Sequence, residues 1–222
     1  MGVFKDSYIV LVHKLAGVLW GIRYHPKKYW SVRGLVYKKA MEQAFENDPD
    51  CDRNRSLVLE TLKEYRFSSL LDVGCGYGLY LKSIEDNLDL ERIDGCDISP
   101  TQVKAAKEYL GATSKVNVTE TDGENLPYPD NSFDITLTYG VCIHVPHDKI
   151  THFIEEILRV TRKHYIFLES SLGADFLYYV SHDYPAIFNS LQIPIKALKE
   201  IDGGWIRVAD LSQAGFDTDQ AR

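Results

Sequence analysis

The sequence is poor in cysteine, shows no C-x-x-C pair and carries no excess of positive charge. Its scattered thiols favour neither a disulfide framework nor a closed zinc site, and no acidic cluster has magnesium-site spacing, so we expect no metal. A net charge of −7 argues against a long phosphate backbone, which disfavours a nucleic-acid partner. We expect reduced, mostly structural thiols in a cytoplasmic protein. The cysteines are Cys51, Cys75, Cys96 and Cys142.

The sequence also lacks a hydrophobic run long enough to span a membrane. Tyr8 to Ile22 is largely apolar but is interrupted by charged and glycine residues, and a spanning helix needs about 20 apolar residues. The charge at its centre also argues against a signal peptide. Two interpretations stay open: a helix that covers the core or a homodimer contact, and an interfacial helix in peripheral contact with a membrane.

Length favours a single domain. A chain of 222 residues can bury a substantial core, but a second full domain would be crowded. We expect an N-terminal helical extension over residues 1–66 and one core domain over residues 67–222. The alternation of strand and helix patterns along this core predicts a doubly wound α/β fold.

The most informative motif joins a strand, a glycine turn and a helix start. Leu70 to Val73 is short and mostly apolar, as in a core strand of a parallel sheet, and Asp72 lies near its end. The spacing of Gly74, Gly76 and Gly78 lets the backbone turn sharply and approach a ligand, while the following helix offers N–H groups. This pattern indicates a ligand that contains adenosine.

The turn does not match a dinucleotide fingerprint. That fingerprint requires glycine at the first, third and sixth positions, and the sixth position counted from Gly74 is Leu79. A nicotinamide oxidoreductase is therefore disfavoured.

A second motif lies about 20 residues further on. The strand-like segment Glu91 to Cys96 ends at Asp97, and a carboxylate at the tip of a second strand commonly accepts hydrogen bonds from ribose hydroxyls. Asp97 could instead cap the next helix, Thr101 to Leu110. Ser99 fits the capping role better, because it directly precedes Pro100.

A third motif follows the strand Val116 to Thr121. It begins with Asp122, Gly123 and Glu124, and a Leu-Pro-x-x-Asp-x-Ser-Phe-Asp sequence leads into a fourth strand, Phe133 to Thr138.

Together, these motifs resemble those of the class I S-adenosylmethionine-dependent methyltransferases. The resemblance implies that S-adenosylmethionine is the cofactor and that residues 67–222 form a Rossmann-like core. It also implies that Asp72 faces the amino acid part of the cofactor and that Asp122 lies beside the adenine amino group. The cofactor-binding residues expected from the resemblance are Tyr29, Arg33, Asp72, Gly74, Cys75, Gly76, Gly78, Asp97, Ile98, Asp122, Gly123, Glu124 and Tyr139.

The resemblance implies a seven-stranded, mostly parallel sheet with an antiparallel C-terminal hairpin and an N-terminal helical lid. After the fourth strand, the pattern indicates a helix at 147–162, a strand at 164–169 and a helical region at 174–191. Two strands at 193–201 and 205–211, joined by a glycine turn, form the expected hairpin.

The lid is expected between Tyr29 and Tyr37. Arg33 offers the charged fork that the methionine carboxylate prefers, and Tyr29 or Tyr37 could pack on the cofactor. The alternative is an amphipathic helix whose aromatic residues belong to the core.

Methyl-transfer chemistry is expected beyond the carboxyl ends of the fourth and fifth strands. His144 is the candidate base, because a neutral imidazole can take a hydroxyl proton, although a histidine in an apolar run can also be structural. His182, in the run Ser181 to Tyr184, is a second candidate for substrate recognition or catalysis, unless this run only caps a helix. Glu169 could line the same pocket.

The predicted function is methyl transfer to a small molecule, with a hydroxyl of a sugar-like or biosynthetic metabolite as the leading acceptor. An Asn-Pro-Pro-Tyr type motif is absent, which removes the main support for a DNA base as the acceptor. N- or C-methylation of a metabolite and a non-catalytic S-adenosylmethionine-binding subunit stay open as alternatives.

Overall fold

The computed structural model describes residues 25–47, 53–170, 179–201 and 204–211. The apolar stretch from Tyr8 to Ile22, the thiol of Cys51 and the tail from Ser212 onward lie outside the described residues. Within the described ranges, no helix has the length and apolar character needed to cross a membrane.

The chain forms helices and strands in alternation. The helices are α1 (Pro26–Asn47), α2 (Arg53–Lys63), α3 (Leu79–Asn87), α4 (Pro100–Leu110), α5 (Ile150–Val160) and α6 (Tyr184–Ser190), with a short 3₁₀ helix at Cys142–His144. The strands are β1 (Ser69–Val73), β2 (Arg92–Asp97), β3 (Asn117–Glu120), β4 (Phe133–Tyr139), β5 (Thr161–Ser170), β6 (Ile195–Ile201) and β7 (Gly204–Asp210).

The strands form one sheet in the order β3-β2-β1-β4-β5-β7-β6. The first five strands in this order, β3, β2, β1, β4 and β5, are parallel to one another. Strand β7 runs antiparallel to both β5 and β6. The prediction of a mostly parallel sheet with an antiparallel C-terminal hairpin is therefore confirmed.

Helices cover both faces of the sheet. On one face, Ile154 of α5 and Phe188 of α6 pack in a core cluster with Phe167 of β5. On the other face, Leu62 of α2 and Leu81 of α3 belong to a second buried cluster. Burial on both faces explains why every residue of β1 and all but the last residue of β4 are buried, and it confirms the doubly wound arrangement.

The start of α4 has the predicted cap. The Ser99 side chain accepts a hydrogen bond from the backbone N–H of Gln102, and Pro100 occupies the first turn. Proline is suited to this position because its missing N–H would lack a partner there in any case.

The predicted helical region 174–191 is shorter than expected. Among its described residues, 179–183 are not helical and α6 begins at Tyr184, where Asp183 accepts a hydrogen bond from the N–H of Ala186. A carboxylate cap followed by Pro185 in the first turn favours a helix start at this point. The expectation of helix before Tyr184 was wrong for 179–183.

The helix α1 lies against α4 and β3. The hydroxyl of Thr101 donates a hydrogen bond of 2.8 Å to the carbonyl of Ser31, and the Nζ of Lys27 is 2.6 Å from a carboxylate oxygen of Glu120. A Cβ on Gly34 would come within 2.6 Å of the Thr101 hydroxyl, so a side chain there would push the helices apart. These contacts hold α1 against α4 and the end of β3.

Candidate active site

A cavity opens at the carboxyl ends of β1, β2 and β4, with α1 forming part of its wall. This is the point where the strand order reverses, β1 leading to β2 on one side while β4 lies on the other, and open α/β sheets bind ligands in that crevice. The expected site residues that line the cavity are Asp72, Gly74, Cys75, Gly76, Asp97, Ile98, Asp122, Gly123, Glu124, Tyr139 and His144. The expected residues outside its lining are Tyr29, Arg33, Gly78 and His182.

The turn after β1 is held by the end of β2. The N–H groups of Gly74 and Cys75 donate to the carbonyl of Cys96 at 2.7 and 2.9 Å. Gly74 has a φ of +79°, and a Cβ at this position would overlap the side chain of Val141. Glycine is therefore required there by both backbone conformation and close packing.

Asp97 is organised to accept further hydrogen bonds. Its Oδ2 accepts from the N–H of Gly76 at 2.9 Å, and its Oδ1 accepts from the N–H of Ser99 at 2.8 Å. Burial raises the pKa of Asp97 to about 6, against the lowering effect of these two bonds. Each carboxylate oxygen keeps a second lone pair, which suits a pair of ligand hydroxyls.

Asp72 is a buried carboxylate with no hydrogen-bond donor among the described residues. Its residue is 3% exposed and lines the cavity. Burial, together with the negative charge of Asp97, raises the pKa of Asp72 to about 7. Since an unpaired buried carboxylate is costly, this position suits a ligand that brings a positive charge.

The segment after β3 is fixed by contacts with α5. Asp122 accepts a hydrogen bond from the N–H of Glu124 at 3.0 Å, and the Glu124 carboxylate is 2.7 Å from the Nζ of Lys149. A Cβ on Gly123 would come 2.5 Å from the ring of Phe153. This tight segment forms one wall of the cavity.

Of the residues predicted on α1, Tyr37 lines the cavity, whereas Tyr29 and Arg33 do not. Trp30, Tyr37 and Met41 line the cavity, and they lie on one face of the helix. Tyr29 is about 100° further round the helix and packs edge-on against Trp30, with ring centroids 5.2 Å apart. The Arg33 guanidinium lies 5.3 Å from the centre of the Tyr37 ring. Helical periodicity centred on Trp30 would have found this face.

Between α2, α3 and β4, the sequence indicated Tyr139 as a lining residue but did not indicate Arg55 or Tyr80. Tyr80 and Tyr139 have ring centroids 4.8 Å apart, and the side chain of Asn54 donates to the Tyr139 hydroxyl at 3.2 Å. Arg55 also lines the cavity. These residues come from separate elements, so only the packing of α2 and α3 against β4 brings them together.

His144 reaches the cavity from the 3₁₀ helix after β4. Its buried ring lies between Trp30, at a centroid distance of 4.8 Å, and Tyr179, at 5.2 Å. The imidazole is thus held by aromatic contacts at the end of the cavity near α1.

His182 does not line the cavity. Its Nε2 is 3.0 Å from the carbonyl oxygens of both Cys142 and Val145. Because carbonyls only accept, this nitrogen carries the proton and donates it to the loop after β4. A nitrogen in that arrangement is not available to take a proton from a substrate.

The comparisons with known proteins agree with this geometry. Residues 71–168 match a family model described as a methyltransferase domain. Ajmaline N-methyltransferase of Rauvolfia serpentina is 39% identical over 95 residues, which is 41% of this chain and 32% of that relative. The 2-methyl-6-phytyl-1,4-hydroquinone methyltransferase of Synechocystis is 32% identical over 95 residues, which is 43% of this chain and 29% of the relative. The matches thus span about a third of each relative.

Solved structures share the fold over most of the chain. A protein from Pyrococcus horikoshii matches with a TM-score of 0.63 and 19% identity, covering 76% of this chain and 98% of its own. An S-adenosylmethionine-dependent methyltransferase from Aquifex aeolicus matches with a TM-score of 0.61 and 19% identity, covering 78% of this chain and 96% of its own.

Proposed function

Because residues 71–168 match a family model described as a methyltransferase domain, we propose that this protein transfers a methyl group from S-adenosylmethionine to a small-molecule acceptor. The carrying observation is the carboxylate of Asp72, which lines the cavity with no hydrogen-bond donor among the described residues. The α-ammonium group of the methionine part of the cofactor supplies the positively charged partner that this carboxylate lacks.

The other lining residues fit the rest of the cofactor. Asp97 has acceptor capacity for the two ribose hydroxyls, and Gly76 leaves room beside the backbone of the turn. Asp122 and Gly123 are assigned to the adenine. The bound sulfonium supplies an activated methyl group, and the protein aligns the acceptor and excludes water.

We assign the acceptor a hydroxyl group, as in a sugar-like or biosynthetic metabolite, with His144 as the base. A neutral imidazole at the cavity can accept the hydroxyl proton as the methyl is transferred. This assignment is supported by the position of His144 after β4, where its ring lines the cavity.

An amine acceptor is the second candidate. One relative is named ajmaline N-methyltransferase. The paired rings of Tyr80 and Tyr139 also suit an acceptor amine that binds as an ammonium cation. This cation would pass a proton to the His144 imidazole, and the freed nitrogen lone pair would then take the methyl group.

We further propose that the protein acts in the cytoplasm, where buried thiols stay reduced. The free and buried Cys75, Cys96 and Cys142 support this setting. A homodimer and a peripheral membrane contact by the N-terminal stretch remain predictions. Co-sedimentation with anionic liposomes tests the membrane contact, and sedimentation velocity tests the dimer.

Calorimetry tests the cofactor. S-adenosylmethionine or S-adenosylhomocysteine is expected to bind in the micromolar range, and NAD is expected not to compete. Tighter binding of NAD would contradict the proposal.

Labelled S-adenosylmethionine tests the reaction. The protein is incubated with the labelled cofactor and a metabolite extract, and the methylated product is identified by mass spectrometry. A product methylated on oxygen supports the hydroxyl assignment, whereas one methylated on nitrogen supports the second candidate. A protein that binds the cofactor but labels nothing would instead support a non-catalytic binding subunit.

A further inference from the structure

Glu169 lies at the end of β5, fully buried and outside the cavity lining. Its Oε1 accepts hydrogen bonds from the backbone N–H groups of Val141 and Cys142, both at 3.1 Å. Its Oε2 accepts from the N–H of Ile143 at 3.3 Å. One carboxylate therefore binds three consecutive N–H groups of the loop that follows β4.

The surroundings of Glu169 supply only weak further bonding. The hydroxyl of Thr138 donates to Oε1 at 3.3 Å and lies 2.9 Å from the hydroxyl of Tyr165. Burial raises the pKa of Glu169 to about 7, although the three N–H groups lower it. A buried acid with a raised pKa costs stability at neutral pH, but an apolar residue at this position would leave the three backbone N–H groups without an acceptor. Glu169 therefore fixes the conformation of the loop that carries His144.

The same loop is held on its carbonyl side. The Nε2 of His182 lies 3.0 Å from the carbonyl oxygens of Cys142 and Val145, and the N–H of Val180 donates to the carbonyl of Ile143 at 2.7 Å. His144 lies within this segment, so both its preceding N–H groups and its flanking carbonyls are fixed.

We propose that Glu169 is a positioning residue for methyl transfer. Its carboxylate binds the backbone N–H groups of residues 141–143, an arrangement that we call the clasp, and thereby sets where the His144 imidazole enters the cavity. His182 completes the clasp from the carbonyl side. The catalytic consequence rests on the proposed function, while the clasp itself is a property of the loop and can be measured without an acceptor.

Amide hydrogen exchange of Glu169→Gln tests the clasp. The introduced side-chain amide would keep one carbonyl acceptor but would turn its N–H donors towards backbone N–H groups, so the loop must lose bonds. The amides of 141–143 are expected to lose at least about tenfold in protection, the effect of losing about one charged hydrogen bond. The NMR signals of the His144 ring are expected to shift, because the loop that carries this ring loses hydrogen bonds.

Asp134→Asn is the matched control. Asp134 is also a fully buried acid that accepts from a backbone N–H, that of Ser68 at 2.8 Å, but it lies at the opposite edge of the sheet. This variant is expected to lower the melting temperature without changing the protection of 141–143 or the His144 signals. Equal loss of loop protection in both variants would mean general destabilisation and would overturn the proposal.

A second variant keeps the test decisive if Glu169→Gln does not fold. Glu169→Asp retains the charge but withdraws the carboxylate by about 1.5 Å, one C–C bond, so it cannot reach all three N–H groups. The same amides are expected to lose protection. Wild-type protection at 141–143 in either folded variant would overturn the proposal.

The two proposals fail in different experiments. Absence of S-adenosylmethionine binding by the wild-type protein would refute the proposed function and leave the exchange result intact. Once the acceptor is known, Glu169→Gln is expected to lower kcat about tenfold or more, a larger factor than any rise in KM for the cofactor, because a misplaced base costs mainly rate. A loss confined to KM would contradict a positioning role.

Discussion

At the residue scale, the site is defined by acids that the fold holds in an unfavourable state. Asp72 and Asp97 are both buried at the carboxyl edge of the sheet, and burial raises the pKa of each, to about 7 and about 6. Asp97 is partly compensated by two backbone N–H groups, whereas Asp72 has no donor among the described residues. A ligand that brings hydroxyls and a cation relieves both.

Replacing Asp97 with alanine is expected to weaken S-adenosylmethionine binding about 100-fold, because two hydrogen bonds to a charged group are lost. Calorimetry measures the loss, and circular dichroism checks the fold. Asp94→Asn is the control, since Asp94 lies on the same strand but binds Arg92 instead. Similar losses in both variants would refute the ribose role.

Cofactor affinity is expected to rise with pH between about 5.5 and about 7.5. The ligand ammonium prefers the charged form of Asp72, whose pKa of about 7 means that binding must expel a proton at lower pH. Calorimetry in buffers of different ionisation enthalpy detects this proton. Asp72→Asn is expected to bind more weakly and to lose the dependence around pH 7. A variant that keeps the dependence would rule out Asp72 as its source.

His144→Gln is expected to lower kcat about 100-fold on a hydroxyl acceptor, since general base catalysis contributes about 10²–10⁴-fold. Cofactor affinity is expected to change little. His152→Gln is the control, because His152 is exposed on α5. Full turnover by His144→Gln would show that the base assignment is wrong.

At the element scale, the site depends on contacts between turns that follow neighbouring strands. The turn after β1 and the loop after β4 touch where Gly74 meets Val141, because β1 and β4 are paired in the sheet. Periodicity along α1 similarly decides which of its aromatic residues reach the cavity. Elements that are far apart in sequence therefore share one wall.

Gly74→Ala tests the contact between turn and loop. The new Cβ would overlap Val141 and would also strain a residue with φ of +79°, so both stability and cofactor affinity are expected to fall. Gly111→Ala is the control, because Gly111 has φ of +83° and nothing within 4 Å of the added Cβ. Thermal melts and calorimetry are expected to show loss of affinity only for Gly74→Ala. Equal affinities would indicate that strain alone matters.

At the scale of the whole molecule, the pKa values of buried acids shift in opposite directions at the two edges of the sheet. At the carboxyl edge, burial raises the pKa of Asp72 and of Glu169 to about 7. At the amino edge, burial also acts to raise the pKa of Asp134, but the N–H of Ser68 and the cations of Arg162 and Lys163 outweigh it and lower the pKa to about 2. The acid at the amino edge therefore stabilises the fold at neutral pH. The acids at the carboxyl edge, where the cavity lies, destabilise it at the same pH.

Asp72 is expected to make the ligand-free protein lose stability as pH rises from about 4 to about 7. A folded-state pKa of about 7 for Asp72, against about 3.9 for an unfolded aspartate, means that its contribution is full below about pH 4 and is lost as pH rises through 7. Asp72→Asn is expected to exceed the wild-type melting temperature by several degrees at pH 8 and by a smaller margin at pH 5, where only part of the contribution is lost. Equal melting temperatures at both pH values would contradict the raised pKa.

Some parts of this protein are determined by local sequence. The sharp turn after β1 and the start of α4 at Ser99 and Pro100 were predicted from the sequence, because φ preferences and helix caps act over a few residues. The alternation of strand and helix patterns also predicted a sheet with helices on both faces, because a mostly parallel sheet is buried on both faces.

Only the tertiary structure decided which side chains converge on the cavity. Trp30 rather than Tyr29 faces it, and Arg55 and Tyr80 enter it from the helices that precede and follow β1 in the chain. His182 and Glu169 instead hold the loop of His144 from opposite sides. Such contacts join elements distant in the chain, so local residue preferences carry no information about them, and packing and strand order do.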